Sequence, residues 1–184
     1  NLDPEDEVIV TLGSKEGLAN LAQAITSPGD IILSPNPSYP IHPYGFIIAG
    51  ASLRHLPAVD NGIFNPDLYL ERLERSIIES VPAPVAVIVS FPSNPTAQVV
   101  SLEFYEEVVK IAHKYKVYIL SDLAYAEIYY DNSPPPSILQ IPKAKEVAVE
   151  FTSMSKTYAM AGWRIGFAVG NTRLINALTR IKSY

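Results

Sequence analysis

Seven short runs of apolar and β-branched residues recur along the chain, and most of them are continuous rather than alternating. A continuous run indicates a strand that is buried on both faces, as in a parallel sheet covered by helices. Stretches with the apolar spacing of a helix lie between these runs. The sequence therefore predicts an α/β fold of three layers, α/β/α, around a mostly parallel seven-stranded sheet. The predicted strands are Val8–Leu12, Ile31–Ser34, Ser52–Leu56, Val85–Ser90, Val117–Ser121, Val147–Thr152 and Ile165–Val169.

Four helices are predicted between the strands from apolar periodicity and from start signals. The first begins at the capping residue Ser14 and runs to about Ile25, because leucine and alanine recur on one of its faces. The other three are predicted at Asp67–Ser80, Ser101–Tyr115 and Leu174–Ile181. Prolines cluster after the predicted strands, which indicates rigid turns at the strand ends.

Composition excludes several classes of function. The formal net charge of −5 argues against a nucleic-acid surface, since phosphate contacts need clustered Lys and Arg. The chain has no cysteine, which excludes disulfides, thiolate metal sites and Cys nucleophiles. The longest apolar runs are too short for a membrane span, which takes roughly 20 residues. The spacing of His with Asp or Glu predicts no metal site. His42 follows the Tyr39 turn and could line a pocket, although we favour its interpretation as a packing residue.

The residues that follow each predicted strand are the candidates for a ligand site, because ligands of an open parallel sheet collect beyond the carboxyl ends of its strands. The first strand is followed by the turn Gly13–Gly17, which contains Ser14, Lys15 and Glu16. A turn of small residues that opens a helix offers free backbone N–H groups, and these suit a phosphate. An ordinary capped helix is the alternative interpretation.

Three further strand ends carry groups that suit a flat heteroaromatic ligand. Tyr39 is held between prolines and could stack on such a ring, and the amide of Asn94 could point at a ligand oxygen. Asp122 ends a buried strand, where a carboxylate needs a cation or a strong donor such as a protonated pyridine nitrogen. Tyr125 lies three residues further on. Taken singly, these groups have structural alternatives: a packing ring, an Asn-Pro turn and a helix-capping Asp.

Lys156 gives the sharpest local signal. It follows the sixth predicted strand among the hydroxyl residues Ser153 and Ser155, where a solubilising lysine is poorly placed and an amine suits imine chemistry. Arg164 comes eight residues later and could form a bidentate pair with a phosphate. Ligand-type groups at so many strand ends are hard to obtain by chance, so the sequence predicts one shared site.

Taken together, the motifs resemble those of fold-type-I, class I/II aminotransferases that use pyridoxal 5′-phosphate (PLP). The resemblance runs through essentially the whole chain and is closest to the branch of glutamate–pyruvate (alanine) and LL-diaminopimelate aminotransferases. The family's usual Asn-Pro-Thr-Gly ends in Ala97 here. The matching strings are GSKEGL at Gly13–Leu18, NPSYPIH at Asn36–His42, FPSNPTAQ at Phe91–Gln98, DLAYA at Asp122–Ala126 and SKTYAMAGWRIGF at Ser155–Phe167.

The resemblance implies a role for each candidate residue and an antiparallel last strand. Lys156 carries the cofactor and, once released, moves a proton between the substrate α-carbon and the cofactor. Asp122 pairs with the pyridinium nitrogen, and Tyr125 and Asn94 bind the 3′-oxygen of the ring. Tyr39 stacks on the ring. The phosphate is assigned to Ser153, Ser155 and Arg164, together with the backbone of Ser14, Lys15 and Glu16.

The resemblance also implies the reaction, which is amino-group transfer between an L-amino acid and a 2-oxo acid, with glutamate and pyruvate as the favoured pair. It implies a cytoplasmic homodimer. We expect residues 1–184 to be the PLP-binding large domain of a longer protein, without its N-terminal segment and C-terminal small domain. Two alternatives stay open: a PLP-dependent C–S lyase on the same fold, and an aminotransferase-like sensor domain of a transcription regulator.

Overall fold

The computed structural model describes residues 1–60 and 62–183. Its strands are β1 (Val8–Thr11), β2 (Ile31–Asn36), β3 (Ser52–Pro57), β4 (Val59–Asp60), β5 (Ile63–Phe64), β6 (Ala86–Val89), β7 (Tyr118–Asp122), β8 (Ala148–Ser153) and β9 (Gly166–Gly170). Its α-helices are α1 (Ser14–Ile25), α2 (Ile41–Ile48), α3 (Pro66–Ile78), α4 (Leu102–Tyr115), α5 (Met154–Thr157) and α6 (Thr172–Lys182).

One seven-stranded sheet forms the centre of the fold, in the strand order β1-β9-β8-β7-β6-β2-β3. The strands from β8 to β3 pair in parallel, whereas β9 pairs antiparallel with both β8 and β1. The prediction of a mostly parallel sheet with an antiparallel last strand is confirmed. The short strands β4 and β5 form a separate antiparallel pair that the sequence analysis does not predict.

Two apolar cores lie on the two faces of the sheet. Helices α1, α2 and α6 pack on one face, and α3 and α4 pack on the other. Neighbouring residues of one strand enter opposite cores, as Val87 and Ile88 do in β6, and both are at most 1% exposed. Each such side chain contributes about 1.5–3 kcal/mol on burial. The three layers explain why the strand sequences are continuously apolar.

Helix α2 occupies a segment in which no helix is predicted, because prolines there indicate a turn. Pro43 lies in the first turn of α2, where a missing backbone N–H costs nothing and the fixed φ of proline suits the helix. Helix α3 begins one residue before its predicted start, since Asn65 caps it by accepting a hydrogen bond from the Leu68 backbone N–H at 3.0 Å.

The part of the chain that the structure describes contains neither a candidate membrane span nor a candidate metal site. None of the helices in residues 1–60 and 62–183 has the length and apolar character needed to cross a bilayer. Within the same residues, no three His, Asp or Glu side chains gather in a way that could hold a metal ion.

Glu150 on β8 is a buried carboxylate, only 3% exposed. Its Oε1 accepts a hydrogen bond from Ser137 Oγ at 2.6 Å, and its Oε2 accepts from Ser121 Oγ at 3.0 Å and from the Ile138 backbone N–H at 3.1 Å. Burial raises the pKa of Glu150 above its ordinary value of 4.5, although the hydrogen bonds act in the opposite direction. The charged form of Glu150 is therefore disfavoured in the folded protein.

We expect Glu150→Gln to remove the loss of stability that the buried Glu150 carboxylate causes as the pH rises above 4.5. A raised pKa means that the folded state binds this proton more tightly than the unfolded state, so the group destabilises the fold as the pH rises through that window. A neutral amide removes this effect and can still pair with the two hydroxyls and the N–H. Urea unfolding at about pH 5 and pH 7 measures the free energy of unfolding, and an equal decline in both proteins would contradict the prediction.

Candidate active site

The carboxyl ends of the parallel strands and the amino end of β9 meet at one edge of the sheet. Gly166, the first residue of β9, pairs with Ser153 at the end of β8 and with Thr11 at the end of β1. Because β9 is antiparallel, Arg164 lies at this edge although it precedes its strand. The residues that follow β1, β2, β6, β7 and β8 lie at the same edge.

A cavity of about 350 Å³ opens at this edge and brings together ten of the eleven predicted site residues, all except Glu16. Lys156 and Arg164 are exposed to solvent, whereas Asp122 is only 6% exposed. The cavity therefore has a buried acid and solvent-facing cations. The ten residues are Ser14, Lys15, Tyr39, Asn94, Asp122, Tyr125, Ser153, Ser155, Lys156 and Arg164.

The Glu16 side chain is engaged outside the cavity. Its Oε2 accepts a hydrogen bond from the Leu12 backbone N–H at 2.8 Å, and its Oε1 accepts from Lys182 Nζ at 2.6 Å. These bonds tie the start of α1 to α6. Only the backbone N–H of Glu16, in the first turn of α1, can serve a phosphate in the way that the sequence analysis expects.

The Arg164 guanidinium is held in a fixed orientation. Its Nη1 donates to Ser155 Oγ at 3.2 Å and to the Ala161 carbonyl at 3.1 Å, and its Nη2 donates to the Leu12 carbonyl at 3.1 Å. Gly13 makes this position possible, since its φ is 80° and a Cβ on it would lie 2.5 Å from Nη2. A guanidinium held in this way offers a planar pair of donors beside the amino end of α1.

The end of the cavity beside Arg164 suits a phosphate. Helix α1 begins at Ser14 and presents the positive end of its dipole and its unpaired N–H groups there. Lys15 also lines the cavity, with its Nζ 5.1 Å from the centre of the Tyr39 ring. Arg164 and a helix amino end therefore lie side by side, and Lys15 adds a second cation to the same cavity.

The buried end of the cavity suits a ring with a protonated nitrogen. Asn94 Nδ2 lies 3.4 Å from Tyr125 Oη, so the two groups can share one ligand oxygen. Lys156 Nζ lies 6.0 Å from the centre of the Tyr125 ring. Asp122 Oδ2 contacts His42 Nε2 at 2.9 Å, while its Oδ1 is buried and has no hydrogen-bond partner among the described residues. A ligand that donates a hydrogen bond to Oδ1 would satisfy that oxygen.

Two residues of this region are not predicted to belong to it. His42 is buried and does not line the cavity, in agreement with its interpretation as a packing residue, but its ring is also bonded to the Asp122 carboxylate. Ser90 lines the cavity directly after β6. The signal that marks Asp122, a polar residue at the end of a buried strand, also applies to Ser90 and would have found it.

The turn after Asn94 keeps a left-handed residue although alanine replaces the usual glycine. Ala97 has a φ of 56°, and its backbone N–H donates to the Ser93 carbonyl at 2.8 Å. Glycine adopts this conformation without steric strain, whereas the Cβ of alanine makes it less favourable. The substitution therefore leaves the turn that presents Asn94 in place.

A family model for class I and II aminotransferases matches residues 1–184. The chain belongs to this family. Class I and II aminotransferases depend on PLP. PLP carries a phosphate, a pyridine nitrogen and a 3′-oxygen. This aminotransferase chain offers a fitting partner to each, namely the cationic end beside Arg164, the unpaired Oδ1 of Asp122, and the Asn94–Tyr125 pair.

Named relatives and a solved structure agree with this membership. The glutamate-pyruvate aminotransferase AlaC of Escherichia coli is 57% identical over 183 residues, which are 100% of this chain and 43% of AlaC. The LL-diaminopimelate aminotransferase of Aquifex aeolicus is 47% identical over 184 residues, or 100% of this chain and 46% of that protein. A probable N-succinyldiaminopimelate aminotransferase structure from Thermus thermophilus matches with a TM-score of 0.88 at 32% identity, covering 100% of this chain and 48% of that one. The chain thus spans less than half the length of each.

Proposed function

We propose that this chain is the PLP-binding large domain of an aminotransferase that moves an amino group between an L-amino acid and a 2-oxo acid. One observation carries the proposal: Lys156, Asp122 and Arg164 line a single cavity of about 350 Å³ at the carboxyl edge of the sheet. These residues follow or precede three different strands, so only the fold brings an amine, an acid and a phosphate-binding cation together. The homodimer and the cytoplasmic location that the family resemblance implies remain predictions.

The amine of Lys156 and the carboxylate of Asp122 have the central roles in this proposal. Bound PLP supplies an aldehyde that condenses with amines and a protonated ring that withdraws electrons from the substrate α-carbon. Lys156 Nζ holds the cofactor between turnovers and, when free, takes the proton from the α-carbon. Asp122 Oδ1 accepts a hydrogen bond from the ring nitrogen and keeps the proton on that nitrogen.

The other cavity residues bind and orient. Arg164 and the amino end of α1 hold the phosphate, which fixes the position of the ring relative to Lys156 Nζ. Tyr39 lines the cavity and would cover a face of the ring, and the Asn94–Tyr125 pair would bind its 3′-oxygen. Holding the reactants in one geometry in this way contributes a large part of catalysis.

We propose glutamate and pyruvate as the favoured substrates. The support is the higher identity to the relative named for glutamate and pyruvate, 57%, than to the relative named for LL-diaminopimelate, 47%. The two substrates differ from LL-diaminopimelate in size and charge, so the choice can be measured directly.

Single-turnover experiments on the full-length protein that contains this chain test the proposal. We expect L-alanine and L-glutamate each to convert bound PLP to pyridoxamine phosphate with release of one 2-oxo acid, and pyruvate to reverse the conversion. Faster conversion by LL-diaminopimelate would overturn the favoured pair alone. Release of ammonia and pyruvate from L-cystathionine, without pyridoxamine phosphate, would identify a C–S lyase. Failure of every amino acid to react would overturn the reaction class.

A further inference from the structure

The Glu16 side chain folds back from the first turn of α1 onto the backbone that precedes the helix. Its Oε2 accepts a hydrogen bond from the Leu12 backbone N–H at 2.8 Å. Its Oε1 accepts hydrogen bonds from Lys182 Nζ at 2.6 Å and from the side-chain amide of Asn20. The side chains of Glu16 and Lys182 are only 23% and 18% exposed. The carboxylate is therefore held at both of its oxygens, and one of them is committed to Leu12.

The backbone of Leu12 is hydrogen-bonded through both its N–H and its carbonyl. The N–H donates to Glu16, and the carbonyl accepts from Arg164 Nη2 at 3.1 Å. The register of β1 with β9 ends at Thr11, and the Leu12 side chain is 61% exposed. Neither the sheet nor side-chain packing therefore fixes Leu12, so the two hydrogen bonds are what hold it in place.

The contact between Glu16 and Leu12 differs from an ordinary helix cap. A glutamate at the third helical position commonly accepts a hydrogen bond from the backbone N–H of the N-cap residue. The N-cap residue here is Gly13, which makes no side-chain cap, and Glu16 reaches one residue further back, to Leu12. The Glu16 carboxylate thus acts on the residue that contacts Arg164, and it leaves the N–H groups of the first turn of α1 for another acceptor.

We propose that Glu16 is a positioning residue of the phosphate site, which holds the Leu12 backbone so that the Leu12 carbonyl orients the Arg164 guanidinium. This inference rests on the proposed PLP site. The other two acceptors of Arg164, Ser155 Oγ and the Ala161 carbonyl, both contact Nη1, so Leu12 is the acceptor that Nη2 has among the described residues. Without the bond from Leu12 to Glu16, the acceptor of Nη2 is no longer fixed.

The affinities of the cofactor-free full-length protein for PLP and for pyridoxal, which lacks the phosphate, test this role. We expect Glu16→Leu to weaken PLP binding about tenfold, the net effect of one hydrogen bond, and to leave pyridoxal binding within about twofold of wild type. Glu16→Gln should keep both affinities within about threefold, because its amide oxygen still accepts from the Leu12 N–H. A folded Glu16→Leu variant with the wild-type ratio of the two affinities would overturn the proposal, as would an equal loss in Glu16→Gln.

Lys182→Met is the matched control, since it separates the positioning of Leu12 from the tie between α1 and α6. This substitution removes the ion pair but leaves the bond from Leu12 to Glu16, with Asn20 still bonded to Oε1. We expect the ratio of PLP to pyridoxal affinity to stay within about threefold of wild type. The same loss in Lys182→Met as in Glu16→Leu would overturn the proposal, because the tie between the helices would then be sufficient to explain it.

Two further measurements test the connection through Leu12 to Arg164. In an Arg164→Ala background, Glu16→Leu should weaken PLP binding no further, and additive losses would overturn the proposal. In the cofactor-free wild type, the Leu12 amide should be protected from hydrogen exchange, and rapid exchange would overturn it without any variant. If the wild type binds PLP no more tightly than pyridoxal, the proposed phosphate site itself fails. A wild-type preference for PLP that Glu16→Leu retains overturns only the role of Glu16.

Discussion

Replacing Lys156 with alanine removes covalent attachment of PLP and abolishes nearly all amino transfer. The Nζ of Lys156 lies at the cavity, 6.0 Å from the centre of the Tyr125 ring, and in the proposed mechanism this one amine both attaches the cofactor and accepts the α-proton. General acid–base catalysis alone contributes about 100- to 10,000-fold, so a loss of at least this size is expected. We expect the visible absorbance band of covalently attached PLP to disappear together with the amino-transfer activity.

Lys15 provides the matched control, because it is the other lysine among the residues that line the cavity. We expect Lys15→Ala to weaken PLP binding while leaving the covalent attachment in place, since Lys15 adds a positive charge to the cavity and lies in the first turn of α1, which the proposal assigns to the phosphate. Borohydride reduction followed by peptide mapping identifies the modified lysine. Cofactor attached at Lys15 in the wild type, or retained in Lys156→Ala, would show that the assignment of Lys156 is wrong.

The sequence predicts the sheet and the cavity well because both depend on local signals. A continuous apolar run identifies a buried strand, and the residue after the run must then lie at the sheet edge. Asp122 and Lys156 are found in this way, and the structure places both at one cavity. Family motifs add the roles of these residues, which spacing alone leaves open between a ligand site and an ordinary cap or turn.

The features that the sequence does not predict depend on contacts between distant segments. Glu16 sits in the phosphate-type turn, yet its side chain bonds to Lys182, which is 166 residues away. His42 is the last residue of a family motif, but nothing local indicates that it bonds to Asp122 across the domain. Helix α2 is missed because a proline in the first turn of a helix has the same local signature as a proline in a turn. Tertiary packing decides all three.

Asp122→Asn should lower the rate of amino transfer about 100- to 1,000-fold, the range typical of removing one preorganised electrostatic group. The loss follows from the reversed direction of the hydrogen bond at position 122 as well as from the removed negative charge. His42 donates from Nε2 to the position of Oδ2, so an asparagine turns its carbonyl toward His42 and its NH₂ toward the ligand. A donor then faces the ring nitrogen, which favours an unprotonated ring that withdraws electrons poorly. The ¹⁵N shift of labelled PLP and the single-turnover rate measure the two effects.

Glu150→Gln makes the same carboxylate-to-amide change at a buried position of the neighbouring strand, outside the residues that line the cavity. We expect its single-turnover rate to stay within about twofold of wild type, since most substitutions away from a site act on stability rather than chemistry. An Asp122→Asn rate within tenfold of wild type would contradict the assignment of the acid.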